Sequence, residues 1–539
     1  MSAQLDPSNR LRPTTSGTAD RRTWLGLAVL TLPVFLVSMD VSVLYLAIPS
    51  ITDALAPSAA QQLWILDIYG FLIAGLLITM GNVGDRVGRR RILLAGAALF
   101  GIASVIAAFA PSPEILIAAR ALMGIGGATL LPSSLSLIAN MFPDARERGR
   151  AIGVWTAAFA GGSAVGPVIG GVLLHHFWWG VVFLINVPVL AALFVFGPRL
   201  IPEYRAATND PFDVVGVVLS MAGILPLVYA VKTVASEGAT TGVVVAGVVG
   251  AALLVTFLLH QRRVTSPLLD LKLFGNAQFS GAVAVALIGM MALGGMSYLT
   301  GVYLQSVMGH DVLAAAIAGL PMAVAVAVFS IGATRVAAFL GTRLAFVGSV
   351  GLAAAGNLGM LTLGTSTPVF WVYVLCTTIA GVGYGIQFSL VSVVVVGSVP
   401  PERSGAASGI SETSFELGTA MGLALLGSLA TLVFRDGDRG WSFGDTLGET
   451  LHRATDMGSA GEGLATAAKQ AFVDGMHAAS LASGLALLAL GTVLLFVMRD
   501  EPTDPQAEVA AVQLPDGADS VPLASLPATG PVGVARTDS

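Results

Sequence analysis

The chain has 539 residues, of which 55% are hydrophobic and only 11% charged, with a formal net charge of −5. A soluble domain carries about a quarter charged residues, so this composition excludes a water-soluble globular protein and implies an integral membrane protein. The arginines are scattered along the borders of apolar runs rather than gathered on one face, which excludes a nucleic-acid binder, and the single cysteine, Cys376, excludes an intrachain disulfide and any multi-cysteine metal site.

In chain order, residues 1–23 are polar, rich in Pro, Ser and Thr, and read as a disordered tail. The apolar run 24–48 is too long for a signal-peptide core and reads as a retained first span. Runs long enough to cross a bilayer as helices, which takes about 20 residues, follow at 60–81, 91–110, 113–139, 150–174 and 180–198. They complete a six-helix half over 24–198. Beyond a Pro-containing linker, 214–232 and 241–261 form a two-helix insert. Spans at 278–305, 313–335, 344–364, 369–397, 405–433 and 477–497 make a second six-helix half over 278–498.

The segment 434–476 is the one long external loop. Within it Leu447–Arg453 and Gly463–Met476 have helix-compatible composition, so it reads either as a small helical hairpin or as an irregular loop. The tail 499–539 reads as disordered. The expected fold class is an all-α membrane protein with 14 transmembrane helices grouped six, two and six. All but six of the 27 lysines and arginines fall on the side of both termini. The exceptions are Lys232, Arg435, Arg439, Arg453 and Lys469 on the other side and Arg120 within a helix. This bias places both termini in the cytoplasm.

The most informative stretch is Gly81–Arg91, Gly-Asn-Val-Gly-Asp-Arg-Val-Gly-Arg-Arg-Arg, between the second and third spans. Gly81, Gly84 and Gly88 permit a tight reversal and close helix approach. Asp85 sits amid Arg86, Arg89, Arg90 and Arg91, a charge set that marks a cytoplasmic loop. A weaker echo, Arg335 through Gly341-Thr342-Arg343, occupies the corresponding place in the second half.

An ionisable side chain inside a span is costly and therefore a functional candidate. Five qualify: Asp40, Asp67, Arg120, Glu412 and Glu416. At 1.5 Å per residue, Asp40 lies about 24 Å along its helix, and Asp67 and Arg120 lie roughly 10 Å in from the external ends of theirs. Arg120 cannot shed its charge and needs a buried anion. Asp40 is the expected partner, because Asp67 is nearer the surface and reads equally as a cavity carboxylate or a wetted helix end. Glu412 and Glu416 stand four apart, on one face of the thirteenth span. Two carboxylates crowded in low dielectric compete for a single charge, so at least one of them can exchange protons and can also meet a cation.

Two glycine patterns concern packing. Gly162, Gly166, Gly170 and Gly171, with Pro167, strip side chains from part of the fifth span, so that backbones approach closely. Gly381, Gly383 and Gly385 read as a packing face of the twelfth span.

The Gly81–Arg91 motif resembles the signature loop between helices 2 and 3 of the major facilitator superfamily of secondary transporters. Over about 24–498 the chain resembles that superfamily's fourteen-helix drug:proton antiporter branch, which includes quaternary-ammonium multidrug exporters. Gly162–Gly171 is similar to the branch's helix 5 antiporter motif, Gly-x-x-x-Gly-Pro-x-x-Gly-Gly, a pattern associated with export. Arg120-Ala-Leu-Met-Gly124 resembles the helix 4 motif Arg-x-x-Gln-Gly, with Met123 in place of Gln. Met39–Pro49 is similar to the helix 1 motif whose aspartate is implicated in transport, here Asp40. An acidic residue in helix 13, tied to proton coupling and cation recognition, falls on either Glu412 or Glu416.

The resemblance implies the major facilitator fold, with two pseudo-twofold related halves. It also implies that Asp85 meets the start of the thirteenth span near Ser404–Gly405 when the inner side is closed, where the helix N-terminus attracts an anion. The expected function is proton-driven export of amphipathic, often cationic drugs through a central cavity, by a monomer in the cytoplasmic membrane. Protons are the coupling ion, and no cofactor or metal is expected. Tyr45, Trp64, Tyr69, Tyr384, Phe388 and Phe415 are candidates for apolar and cation–π contacts there. Export of an endogenous metabolite is the alternative, and a proton-driven importer a lesser one. The loops contain no nucleophile elbow, zinc-binding His-Glu-x-x-His or phosphate loop, so an enzyme is not expected.

Overall fold

The computed structural model describes residues 19–57, 59–205, 213–237, 240–265, 267–310, 312–365, 370–438, 440–444 and 446–498. Residues 1–18 of the expected disordered tail 1–23, and all of the expected tail 499–539, lie outside them.

The first half comprises α1 (Arg21–Leu55), α2 (Ala59–Val87), α3 (Arg89–Ala108), α4 (Pro113–Met141), α5 (Ala145–His176) and the sixth span, split into α6 (Val181–Leu184) and α7 (Asn186–Leu200). The insert is α8 (Val214–Glu237) and α9 (Thr241–Gln261). The second half comprises α10 (Ala277–Val302), α11 (Val312–Leu340), α12 (Thr342–Gly359), α13 (Phe370–Gly397) and α14 (Ser404–Asp436). A short α15 (Leu447–Asp456) precedes the last span, α16 (Glu462–Val497). Among the described residues, 14 helices are long and apolar enough to cross a membrane, so the protein is a multi-pass membrane protein.

Polar caps start many of these helices where the sequence leaves the membrane. Asp20 accepts from Thr23 N, Asp144 from Glu147 N, and Asn276 from Gln278 N and Phe279 N, each satisfying amides that have no partner within the helix. α3 and α12 begin differently, after Gly88 at φ +121° and Gly341 at φ +84°. Both glycines adopt a left-handed conformation that side chains resist. The weak sequence echo around Gly341 thus corresponds to the same backbone device in each half.

The halves repeat one packing scheme. α1 lies along α5, and α2 and α3 lie along α4; correspondingly α10 lies along α14, and α11 and α12 lie along α13. Two seams join the halves, α2 with α14 and α5 with α11, and they exchange under the same correspondence. The insert is asymmetric: α8 packs on both α2 and α14, with Val228 buried against Phe71 and Ala420.

The face holding the starts of α1, α3 and α14 and the ends of α2, α4 and α7 carries most of the arginines; we refer to it as the basic face. The two seams close tightly near it. A Cβ at Gly81 would lie 2.8 Å from the Gly405 carbonyl carbon, one at Gly409 the same distance from the Leu77 carbonyl, and one at Gly153 2.7 Å from the Ile331 Cα.

Three boundaries differ from expectation. α1 begins at Arg21, inside the expected 1–23 tail, because Asp20 caps it. α2 runs on to Val87, so Gly81 and Gly84 are helical and the reversal rests on Gly88. An ion pair one turn apart, Asp85 with Arg89, bridges that reversal. The loop expected at 434–476 is shorter: α14 continues to Asp436, and Gly463–Met476 is the first part of α16 rather than a separate helix. No proline interrupts Glu462–Val497, and Gly475 lets this extension pack against Ala430 of α14.

Candidate functional site

The first polar cluster is buried within the first half. Arg120, with 0% exposure, forms an ion pair through Nη1 with Asp40 Oδ2. Its Nε donates to the Ile65 carbonyl at 3.3 Å, and its guanidinium carbon lies 4.4 Å from the centre of the Tyr69 ring. Tyr69 donates its hydroxyl to the Val37 carbonyl at 3.4 Å. Met123, where the resembling motif has Gln, is fully buried; the polar support for Arg120 comes from a carbonyl and an aromatic face instead.

Glycines place these groups. A Cβ at Gly124 would meet the Tyr69 carbonyl at 2.8 Å, so α4 and α2 touch backbone to backbone beside Arg120. Gly162, Gly166 and Gly170 turn toward Ser38, Ser42 and Val43 of α1, on either side of Asp40. Gly171 has open space around it and takes no part in that contact.

The second cluster lies on α14. Glu412 is 4% exposed, and its Oε1 has no hydrogen-bond partner among the described residues. Glu416 follows one turn later, half-buried, within electrostatic reach of Glu412 and, across the α2–α14 seam, of Tyr69. Tyr69 thus lies against Arg120 and within electrostatic reach of both Asp40 and Glu416.

The aromatic candidates divide. Phe415 is half-buried and meets Phe388 edge-on at 5.4 Å; Phe388 stacks on Tyr384 at 5.7 Å. Tyr384 belongs to the core of the second half, where Asn357 Nδ2 donates to its hydroxyl at 3.2 Å. Tyr69 and Tyr384, each 1% exposed, are therefore packing and positioning groups rather than open cavity wall. Trp64 is 41% exposed and packs with Phe71 and with Tyr229 of the insert. The side chains of Tyr45 and Asp67 lie outside the described residues.

The third cluster is a latch at the basic face. Arg89, 1% exposed, contacts Asp85 Oδ1 at 2.7 Å and donates to the carbonyls of Ser136 at 3.3 Å and Pro401 at 2.6 Å. Asp85 Oδ2 accepts from Ala406 N at 3.3 Å, and the hydroxyls of Ser136 and Ser404 are 2.9 Å apart. The signature loop thus holds the N-terminus of α14, where the helix dipole favours an anion. Gly84 packs on Ile92 of α3. Arg86 lines a cavity of about 310 Å³ with Asp270, Glu402 and Arg403.

Two further latch residues escaped sequence reasoning. The Tyr204 carbonyl accepts from Arg89 N at 2.9 Å, and its ring lies 4.6 Å from the Arg89 guanidinium carbon. Burial, with the Glu402 charge behind it, pushes the Tyr204 phenol above its ordinary value. Glu203 accepts from Arg90 N at 3.1 Å and pairs with Arg90 and Arg91. Both sit in an aperiodic linker, where only proximity in space reveals them.

Comparisons with known proteins agree with this architecture. Residues 30–423 match the sequence profile of the Major Facilitator Superfamily. The chain is 38% identical over 492 residues to the multidrug efflux pump LfrA of Mycolicibacterium smegmatis, covering 89% of this chain and 97% of that protein. It is 33% identical over 487 residues to the methyl viologen resistance protein SmvA of Salmonella typhimurium, with 87% and 97% covered. It is 34% identical over 443 residues to the puromycin resistance protein pur8 of Streptomyces alboniger, with 81% and 88% covered. Among solved structures, the human organic anion transporter MFSD10 (TETRAN) aligns with a TM-score of 0.59 at 16% identity, over 87% of this chain and 100% of that one, a likeness of fold alone. With two halves packed alike, two exchanging seams and a latch built on its signature loop, the chain belongs to the Major Facilitator Superfamily.

Proposed function

We propose that the protein is a transporter, not an enzyme, that exports amphipathic, cationic drugs in exchange for protons by alternating access. The observation that carries this reading is Glu412: a carboxyl group enclosed within the bundle, one oxygen without a partner among the described residues, with Glu416 one turn away. A buried carboxylate without donors favours either a proton or a cation, so the two ligands compete for one site. The relatives' names, a multidrug efflux pump and a methyl viologen resistance protein, support cationic cargo and the outward direction. The basic face is read as cytoplasmic in a bacterial-type inner membrane, with both termini there.

Coupling runs through α14. This helix bears Glu412 and, about 9–12 Å away along the same rigid rod, the amide that binds Asp85. A change of charge at Glu412 alters how α14 is held against α2, and so biases whether the basic-face seam is shut. Differential affinity of cargo for the two seam states ties the flows together. Asp40, paired with Arg120, supplies an acidic group in the outer half.

Efflux of ethidium and a quaternary ammonium ion from cells and proteoliposomes tests the reading in wild type, Asp40→Asn, Glu412→Gln and Glu416→Gln. Glu412→Gln is expected to abolish pH-gradient-driven accumulation. Asp40→Asn and Glu416→Gln are expected to reduce it and to shift its pH profile. Normal pumping by all three variants, with an unaltered pH profile, would overturn the proposal.

A further inference from the structure

A cavity of about 490 Å³ lies at the basic face, lined by the starts of α1 and α3, the end of α4 and the end of α7. Three arginines from three helices line it: Arg22, Arg90 and Arg199. Among the described lining residues Asp20 is the only acidic one, and its carboxylate is occupied as the cap of α1, accepting from Thr23 N at 2.8 Å and Thr23 Oγ1 at 2.7 Å.

Each arginine is pinned by a terminal nitrogen to carbonyls at the end of α7. Arg22 Nη2 donates to the Arg199 carbonyl at 2.5 Å, Arg90 Nη1 to those of Pro198 at 3.2 Å and Ile201 at 2.9 Å, and Arg199 Nη1 to that of Val195 at 2.7 Å. Arg90 Nε also lies 3.7 Å from Glu203. A guanidinium has five donors in a rigid fork, so these anchors fix the three forks while sparing donors on each. Planar forks of this kind suit phosphate oxygens. One turn back along α7, Phe194, Val195 and Phe196 are exposed at 40%, 52% and 50% on a membrane-spanning helix, a surface suited to acyl chains. Basic pockets between spanning helices take anionic headgroups on these terms.

We propose that this cavity is a binding site for the phosphate of an anionic phospholipid headgroup, with Arg22, Arg90 and Arg199 as its donors. The site is separate from the carboxylates of α1 and α14 and does not depend on how transport is driven. Occupancy would clamp the ends of three first-half helices together at the membrane surface.

Native mass spectrometry of the full-length protein, with phosphatidylglycerol, cardiolipin or phosphatidylethanolamine added, reads the site directly. Wild type is expected to retain phosphatidylglycerol or cardiolipin over phosphatidylethanolamine. The pair Arg22→Gln/Arg199→Gln should lose that retention by roughly tenfold or more. The pair Arg262→Gln/Arg263→Gln, exposed on the same face outside the cavity, should not. If the first pair does not survive extraction, Arg22→Gln and Arg199→Gln singly read the same loss in smaller steps. Equal losses in the two pairs, or wild type holding phosphatidylethanolamine as well as phosphatidylglycerol, overturn the site. Thermal stabilisation by inorganic phosphate where phosphatidylglycerol gives none would assign the cavity to a soluble phosphate and overturn the lipid.

Discussion

Arg120 has a permanent charge, is fully buried and pairs with the Asp40 carboxylate, which makes it the residue whose removal is most informative. Arg120→Ala would strand Asp40 in the bundle and should cost about 3–5 kcal/mol, read as a large drop in melting temperature of the purified protein. Adding Asp40→Asn in that background removes the stranded charge and should recover part of the loss. A double-mutant cycle with no coupling between the two positions would contradict the ion pair. At this scale the sequence was legible wherever burial and charge collide. An arginine inside an apolar run demands an anion, and Asp40 had the matching depth. Glu203 and Tyr204 were illegible, because a linker residue's partner is set by where the chain happens to pass.

Among elements, the α1–α5 contact sets the height of Asp40. Two glycines of one motif should behave oppositely there. A Cβ at Gly162 would overlap Ser38 Oγ and the Phe35 carbonyl, whereas one at Gly171 meets nothing. Gly162→Ala should therefore destabilise by about 1–3 kcal/mol through overpacking against backbone. Gly171→Ala should be neutral or slightly stabilising, since alanine exceeds glycine in helix propensity by about 1 kcal/mol. Thermal melts of the two variants decide, and equal effects would show that the contact is misassigned. The motif announced close packing but not which of its glycines face α1, because helix rotation is fixed only by neighbours.

For the whole molecule, alternating access requires the α2–α14 side of the basic face to part in each cycle. Ser136 of α4 and Ser404 of α14 present hydroxyls 2.9 Å apart across the two halves, a spacing close to what a disulfide of about 2 Å can bridge. In Ser136→Cys/Ser404→Cys, with the single native Cys376 buried, oxidation should cross-link the halves and stop efflux, and a reductant should restore it. Undiminished efflux by the cross-linked protein would mean that this seam stays shut throughout.

The sequence by itself determined that the chain spans a membrane and how many times, because hydropathy acts over a single run of residues. It also determined which side chains are too polar for oil. Only the tertiary structure decided that Arg120 rests on Tyr69, that Glu412 Oε1 is buried with no partner among the described residues, and that a linker clasps the Gly88 turn. These contacts join residues tens to hundreds of positions apart, and helix rotation and seam geometry are settled only when all the helices pack at once.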